Sequence, residues 1–417
     1  MLTLIRNIKE LVGVEYAPQP RKQGKEMAQM ETIEDAYLLI EDGKIKAFGP
    51  MGEWKVESGK WKVEKAVDAE GRLVFPTFCD SHTHIVYANS REHEFVDKIR
   101  GLSYEEIAKR GGGILNSAKA TAAASEDELY DTARQRLDEV MHLGTGAIEI
   151  KSGYGLSTES ELKLLRVIRR LKETSPMTIK ANFLGAHGIP MAYRGHQEDY
   201  VDLVINEMLP RVADEGLADF IDVFCDQGFF TVEDTARILE AGIKRGLRPK
   251  IHANEMAVSG GVQVGVKYNA ISVDHLEQMG DAEIECLKGS DTMPTVLPGC
   301  AFFLNLPLSP ARRMIDAGLP VAMASDYNPG TSPSGNMQLI LSMACIRYRL
   351  TPEEALNATT LNTAYAMGVS DEVGSIAVGK KANFYITKSI PGFEYMPYAY
   401  GENKVERVFL NGVEVSS

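Results

Sequence analysis

Thr77-Phe78-Cys79-Asp80-Ser81-His82-Thr83-His84 is the stretch that decides the fold. A short apolar entry gives way to a polar end with two histidines, the build of a buried strand that finishes at a site. Seven later stretches have a related build, at residues 147–151, 178–187, 220–225, 250–253, 270–274, 292–297 and 320–325. Helical patterns lie between them. Three helix starts carry a hydroxyl followed three residues on by glutamate: Ser125 with Glu128, Thr158 with Glu161, and Thr351-Pro352 with Glu354. In that arrangement each side chain caps the other's backbone N–H, and proline suits the first helical position. After Thr158, Leu162, Leu165, Ile168 and Leu171 recur at helical spacing and make one apolar stripe. Eight strands alternating with helices predict an α/β fold of the (β/α)8 barrel type over residues 76–371. An open doubly wound sheet would alternate too. It gives no reason for eight units, and no glycine-rich dinucleotide fingerprint follows the first strand.

Outward from the barrel, both ends read as β-rich. Residues 36–48 place Asp42-Gly43 between two apolar runs, and residues 405–415 do the same with Asn411-Gly412. Both are hairpin signals. Residues 374–387 form a third β-like stretch with glycine turns, and Trp54 and Trp61 suit the packing of a small sheet. Residues 1–75 and 372–417 are therefore expected to form one small, discontinuous β-sandwich domain beside the barrel. At 417 residues the chain exceeds the ~250–300 that a single core sustains, which agrees with two domains.

Composition excludes several classes. Apolar residues make up 44% and charged residues 25%, which rules out a disordered or fibrous chain. No run of 18 apolar residues offers a membrane span, and the opening MLTLIRNIKE does not read as a secretory signal. The formal charge of −13 argues against a nucleic-acid partner. Five scattered cysteines with no CxxC read as reduced thiols in a cytosolic protein.

In such a barrel the chemistry sits at the C-terminal strand ends. His82 and His84 stand at alternate positions, so both imidazoles project from one face of the first strand. The fifth strand ends at Ile251-His252 and the eighth runs into Ser325-Asp326. Three imidazoles and one carboxylate suit zinc or iron, with a position left for water. Other strand ends contribute His187, His275 and Lys151, and Glu255 lies three residues past His252. The fourth strand ends in Cys225-Asp226 and carries no lysine that could bridge two ions, which favours a single metal. Lys151 reads as a structural ion pair with Glu149 or Asp80. His93, His142 and His196 have no strand-end placement and read as surface residues.

Taken together, the DxHxH strand, His252, His275 and Asp326 resemble the amidohydrolase superfamily. Within it, Ser90-Arg91-Glu92, Arg110-Gly111-Gly112-Gly113-Ile114, Lys151-Ser152-Gly153-Tyr154-Gly155-Leu156, Gly185-Ala186-His187 and Asp326-Tyr327-Asn328-Pro329-Gly330 resemble the imidazolonepropionase family over nearly the whole chain. The resemblance implies hydrolytic ring opening of 4-imidazolone-5-propanoate to N-formimidoyl-L-glutamate, a step of histidine breakdown. It implies one divalent metal, zinc or iron, on His82, His84, His252 and Asp326. Substrate contacts carry over to Arg91, Tyr104, Tyr154, His187, Glu255, Asn328, Gly330 and Thr331. Glu255, His275 and Asp326 would share the proton transfers, and Arg91 would pair the propanoate carboxylate. Departures are Thr77 where glycine is usual after Pro76, Ser81 where proline is frequent, and Asn254 in place of an acidic residue before Glu255. The resemblance also implies a small-molecule substrate, relatives of this kind are often homodimers, and the reduced cysteines make a cytoplasmic enzyme the expectation. The alternatives are another cyclic-amide hydrolase or a deaminase of the same superfamily, and a scaffold without catalysis, which would not keep four ligands.

Overall fold

The computed structural model describes residues 1–57, 61–102, 106 and 112–416. Its eight-stranded parallel sheet consists of β5 (Phe78–Thr83), β6 (Thr145–Lys151), β7 (Thr178–Ala186), β8 (Phe220–Cys225), β9 (Arg248–Ala253), β10 (Ser272–His275), β11 (Met293–Val296) and β12 (Ala322–Met323), in chain order across the sheet. These strands are almost wholly buried, as parallel strands covered by helices on one face and by each other on the other must be. The barrel closes between its first and last strands. Thr83 bridges Tyr327, the His84 N–H donates to Tyr327 O at 2.8 Å, and the Ser325 N–H donates to Asp80 Oδ1 at 3.0 Å.

The two ends of the chain share one mixed sheet of seven strands among the described residues, in the order β15-β14-β13-β4-β1-β2-β3. Its members are β1 (Leu2–Val14), β2 (Glu31–Glu41), β3 (Lys44–Pro50), β4 (Lys65–Pro76), β13 (Phe384–Thr387), β14 (Val405–Leu410) and β15 (Val413–Glu414). Both expected hairpins are present. Asp42 (φ 49°) with Gly43 (φ 80°), and Asn411 (φ 50°) with Gly412 (φ 73°), take the left-handed conformations of a two-residue primed turn. Of residues 374–387 only the last four are strand. Trp54 packs on Leu2, Leu4, Tyr37 and Leu39, with Trp61 beside them. Consecutive residues pass the chain from one sheet to the other. The Thr77 N–H donates to Asn383 O at 3.1 Å, and the Phe78 N–H donates to Gly144 O at 2.9 Å.

Helices wrap the barrel as their patterns require. Leu162, Leu165, Ile168 and Leu171 are all buried on the helix Thr158–Thr174, which packs on β7. Reciprocal caps form at Ser125 with Glu128 and at Thr351 with Glu354. The expected cap at Thr158 does not form. Ser157 takes the cap position, the Thr158 hydroxyl donates to Glu207 Oε1 at 2.5 Å, and Glu161 turns inward to another use described below. The eighth strand is shorter than residues 320–325, because closure beyond Met323 is made by side chains and single bonds rather than by a ladder.

Candidate active site

Beneath the mouth of the barrel lies a layer of buried charge. Glu149 and Lys151 on β6, and Lys250 and His252 on β9, occupy alternate positions and so face inward. Lys151 Nζ donates to Glu149 Oε1 and to Asp222 Oδ2, each at 2.7 Å. Lys250 Nζ donates to Glu149 Oε2 at 2.5 Å and to Ser81 O at 3.0 Å. Asn182 Nδ2 donates to the same two carboxylates at 2.8 and 2.9 Å. Lys151 thus pairs with Glu149 as expected and with Asp222 rather than Asp80, which is engaged by Ser325. Burial lowers the Lys151 ammonium, but Asp222 and Glu149 outweigh it and hold the pKa above the ordinary lysine value. Burial likewise works against the Asp222 carboxylate, and Lys151 and His252 nevertheless hold it well below the usual range.

This layer aims the histidines. His82 Nδ1 lies 2.7 Å from Asp274 Oδ2, and His252 Nδ1 lies 3.1 Å from Asp222 Oδ1. A carboxylate only accepts, so Nδ1 carries the proton in both rings and Nε2 offers its lone pair upward. Both Nε2 atoms are buried without a hydrogen-bond partner. His82 Nε2 and His84 Nε2 stand 3.6 and 3.7 Å from Asp326 Oδ1. Donors ~2.1 Å from one tetrahedral ion lie ~3.4 Å apart, so the spacing fits a shared cation. The donor atoms of His82, His252 and His275 lie within 4.8 Å of one another, as do those of His84, His187 and His252. Burial pushes the His82 and His84 imidazoles well below their ordinary pKa, which keeps them in the neutral form a metal needs. Burial, then Glu255, pushes Asp326 well above the carboxylate range. The unpartnered, buried Nε2 atoms of His82 and His252, with Asp326 Oδ1 beside His82 and His84, fit a divalent metal.

His275 breaks the alternation of its strand, since Asp274 beside it already faces inward. Left-handed backbone at His275 (φ 84°) and Leu276 (φ 71°) redirects the imidazole into the site. Its Nδ1 lies 3.6 Å from Glu255 Oε2 and 3.7 Å from Glu277 Oε2. Glu277 was not singled out from the sequence. It is buried, neither carboxylate oxygen has a hydrogen-bond partner, and its only written signal is the alternate position after His275. Asp226 accepts the N–H groups of Glu255, Met256 and Ala257 at 2.8, 2.9 and 3.1 Å and so fixes the loop that carries Glu255. Burial, then the Asp226 charge, pushes the Glu255 carboxyl up to about 7. The Cys300 thiol, which burial keeps protonated, lies 3.8 Å from Glu255 Oε1.

Arg91 reaches the same cavity from the loop after β5. Its Nε and Nη2 donate to Glu94 Oε2 at 2.8 and 2.7 Å, with both side chains buried. Gly330 packs directly against the guanidinium, and a Cβ there would overlap it. Glu161 accepts the N–H groups of Gly153, Gly155 and Leu156 at 3.0, 2.7 and 2.9 Å and so shapes the loop that holds Tyr154. The His187 Nδ1–H donates to Gly153 O at 3.0 Å, which leaves Nε2 as an acceptor. Burial, then His252, pushes that imidazole down to about 3. Asn328 spends its amide on its own loop, accepting from the Gly330 and Thr331 N–H groups at 2.8 Å each and donating to Asp326 O at 2.7 Å.

Residues 302–415 match the model of the amidohydrolase family. Over 412 residues, 99% of each chain, the sequence is 54% identical to the imidazolonepropionase of Christiangramia forsetii. It is 54% identical over 412 residues, again 99% of each chain, to that of Flavobacterium johnsoniae. The chain belongs to the imidazolonepropionase family. That membership makes it a metal-dependent hydrolase. A solved adenosine deaminase from Xanthomonas campestris with bound Zn superposes with a TM-score of 0.72 over 99% of this chain and 92% of that one, at 16% identity, a likeness of fold alone. Of the residues expected from the imidazolonepropionase family, one cavity of about 520 Å³ brings together His84, Arg91, Tyr154, His187, His252, Glu255, His275, Asp326, Asn328 and Thr331. His82 lies in the cluster beneath the mouth, and Gly330 backs Arg91. Tyr104 lies outside the described residues.

Proposed function

We propose that this chain adds water to the ring of 4-imidazolone-5-propanoate and releases N-formimidoyl-L-glutamate, as in histidine breakdown. One observation carries the reading. A single cavity is lined by His84, His252 and Asp326, with His82 clustered beneath them, and by a buried arginine fixed by its own carboxylate. A hydrolytic centre and a reader of acidic tails then serve one ligand.

His82, His84, His252 and Asp326 would hold the ion, and three imidazoles with one carboxylate suit zinc or iron. When bound there, a divalent cation supplies Lewis acidity and lowers the pKa of water toward neutrality. The rest is done by this chain's side chains. Glu255, ionised, takes a proton from the attacking water and returns it to the ring nitrogen as the C–N bond breaks. The water oxygen ends in the new carboxylate, and the nitrogen that leaves the carbonyl carbon ends in the formimidoyl group. His275 is kept neutral by burial and offers an N–H to oxygen as it gains charge. Arg91 presents a guanidinium fork to the propanoate. Five cysteines without a disulfide accord with a cytosolic setting.

The test is direct. Purified, metal-loaded protein is mixed with imidazolone propanoate, and the ultraviolet absorbance of the ring is followed. We expect its loss, with formimidoylglutamate as the product. A stable ring signal, with turnover of a neutral cyclic amide or an aminopurine instead, overturns the reading.

A further inference from the structure

We propose that Lys98 supplies the positive charge against which the substrate's carboxylate is read, with Arg91 providing its geometry. The inference rests on the substrate reading above and names a residue that reading does not contain. Charge counting motivates it. Arg91 donates two hydrogen bonds to Glu94 at 2.8 and 2.7 Å, so the buried pair is neutral as a unit. A carboxylate bound to that unit alone would leave the corner with an uncompensated negative charge in a partly desolvated pocket, which is costly.

Lys98 closes the count. It lies on the helix Glu92–Ile99, whose N-cap is Arg91. It lines the same cavity. Its Nζ donates to Gly330 O at 3.0 Å, the backbone of the residue that packs on Arg91. The ammonium stands 5.7 Å from the centre of the Phe303 ring, which steadies its position. Among the described residues no carboxylate lies within ion-pair distance of Nζ. Burial lowers the ammonium pKa, and Arg91 lowers it in the same direction ahead of the opposing pull of Glu94. The corner around Lys98 is thus short of an anion among the described residues. Arg91, Glu94 and Lys98 together carry one net positive charge, which matches one propanoate.

Lys98→Gln keeps a donor for Gly330 O and removes the charge, and Lys98→Arg restores the charge. KM and kcat are measured for the acid and for its neutral propanamide analogue. For Lys98→Gln we expect KM for the acid to rise about tenfold or more, with kcat changed far less, KM for the amide nearly unmoved, and most of the loss recovered in Lys98→Arg. Equal effects on acid and amide, or an unmoved KM for the acid, overturn the assignment. Should Lys98→Gln fail to fold, Lys98→Met keeps the stem over Phe303 and enters the same comparison. Wild-type protein that does not turn over the acid at all overturns the substrate reading beneath, whereas normal wild-type turnover with an indifferent Lys98→Gln overturns Lys98 alone.

Discussion

In the proposed mechanism Glu255 moves protons without holding the ion. Its loop is clamped by Asp226, and its carboxyl faces His275 across 3.6 Å. Glu255→Gln should retain fold and metal, while kcat falls ~10²–10⁴-fold, the usual size of an acid–base contribution. Loss of metal in that variant would make Glu255 a ligand instead. The sign of the pH dependence follows from the base role. Burial and Asp226 raise the carboxyl from 4.5 to about 7, and a bound cation can only draw it back down. Activity should therefore rise with pH through a limb between those two values, and Glu255→Gln should abolish the limb. A pH–rate profile checks both. Arg91→Ala should lower kcat/KM by roughly 30-fold to several thousand-fold, as loss of one partner of a buried charge pair does. The metal should stay bound, and the propanamide should gain on the acid. At this scale the sequence was legible wherever a residue type announces its chemistry. The convergence of His82, His84, His252 and Asp326 could be read from strand ends alone. Glu94, Glu277 and Lys98 could not, because a carboxylate or lysine on a helix or loop is usually solvated, and only the folded chain sets Lys98 on the cavity, Glu94 on Arg91 and Glu277 beside His275.

At the scale of elements, alternation did most of the work and its failures are instructive. Charged residues at every second position of β6 and β9 point to a polar interior, a signal present in Glu149-Ile150-Lys151 and Lys250-Ile251-His252. What alternation misses is His275, whose neighbour already faces inward and which reaches the site through backbone at φ 84°. The pairing of Thr158 with Glu161 fitted a capping box in spacing, yet Glu161 is buried and serves three loop N–H groups. A spacing rule cannot tell a cap from a loop clamp when both use the same glutamate. The buried charge layer makes its own prediction. Lys151→Met would leave Asp222 without its cation and Glu149 with only part of its compensation. Removing one member of a buried network typically costs about 3–5 kcal/mol. Urea unfolding should show a loss of that order in the metal-free protein, where the effect cannot be attributed to weaker metal binding. A change below about 1 kcal/mol would mean that water enters the layer and screens it.

For the whole molecule, the informative feature is where the proposed metal donors fall relative to the barrel's seam. The eight-stranded sheet has β5 and β12 as its two outer members. They meet through one bridge between Thr83 and Tyr327 and a few single hydrogen bonds, not through a ladder. His82 and His84 belong to the first side of that seam, Asp326 to the last, and His252 comes from β9. An ion held by these four therefore ties together strands that backbone bonding joins weakly. Binding energy for the native state adds directly to stability, and here it should add unevenly. We expect about one divalent ion per chain by elemental analysis, and two tightly held ions would overturn the single-site reading. Chelation should lower the Tm, and restoring zinc or iron should recover it. Amide hydrogen exchange in the chelated protein should accelerate first in residues 78–84 and 322–327, while β7 and β8, which pair through Asn182, Phe183 and Ala186 in the middle of the strand order and away from the seam, keep their protection. His252→Ala should give the metal-free pattern without a chelator, because the remaining donors hold the ion poorly. Uniform acceleration around the barrel would mean that the ion stabilises the fold as a whole and does not staple the seam.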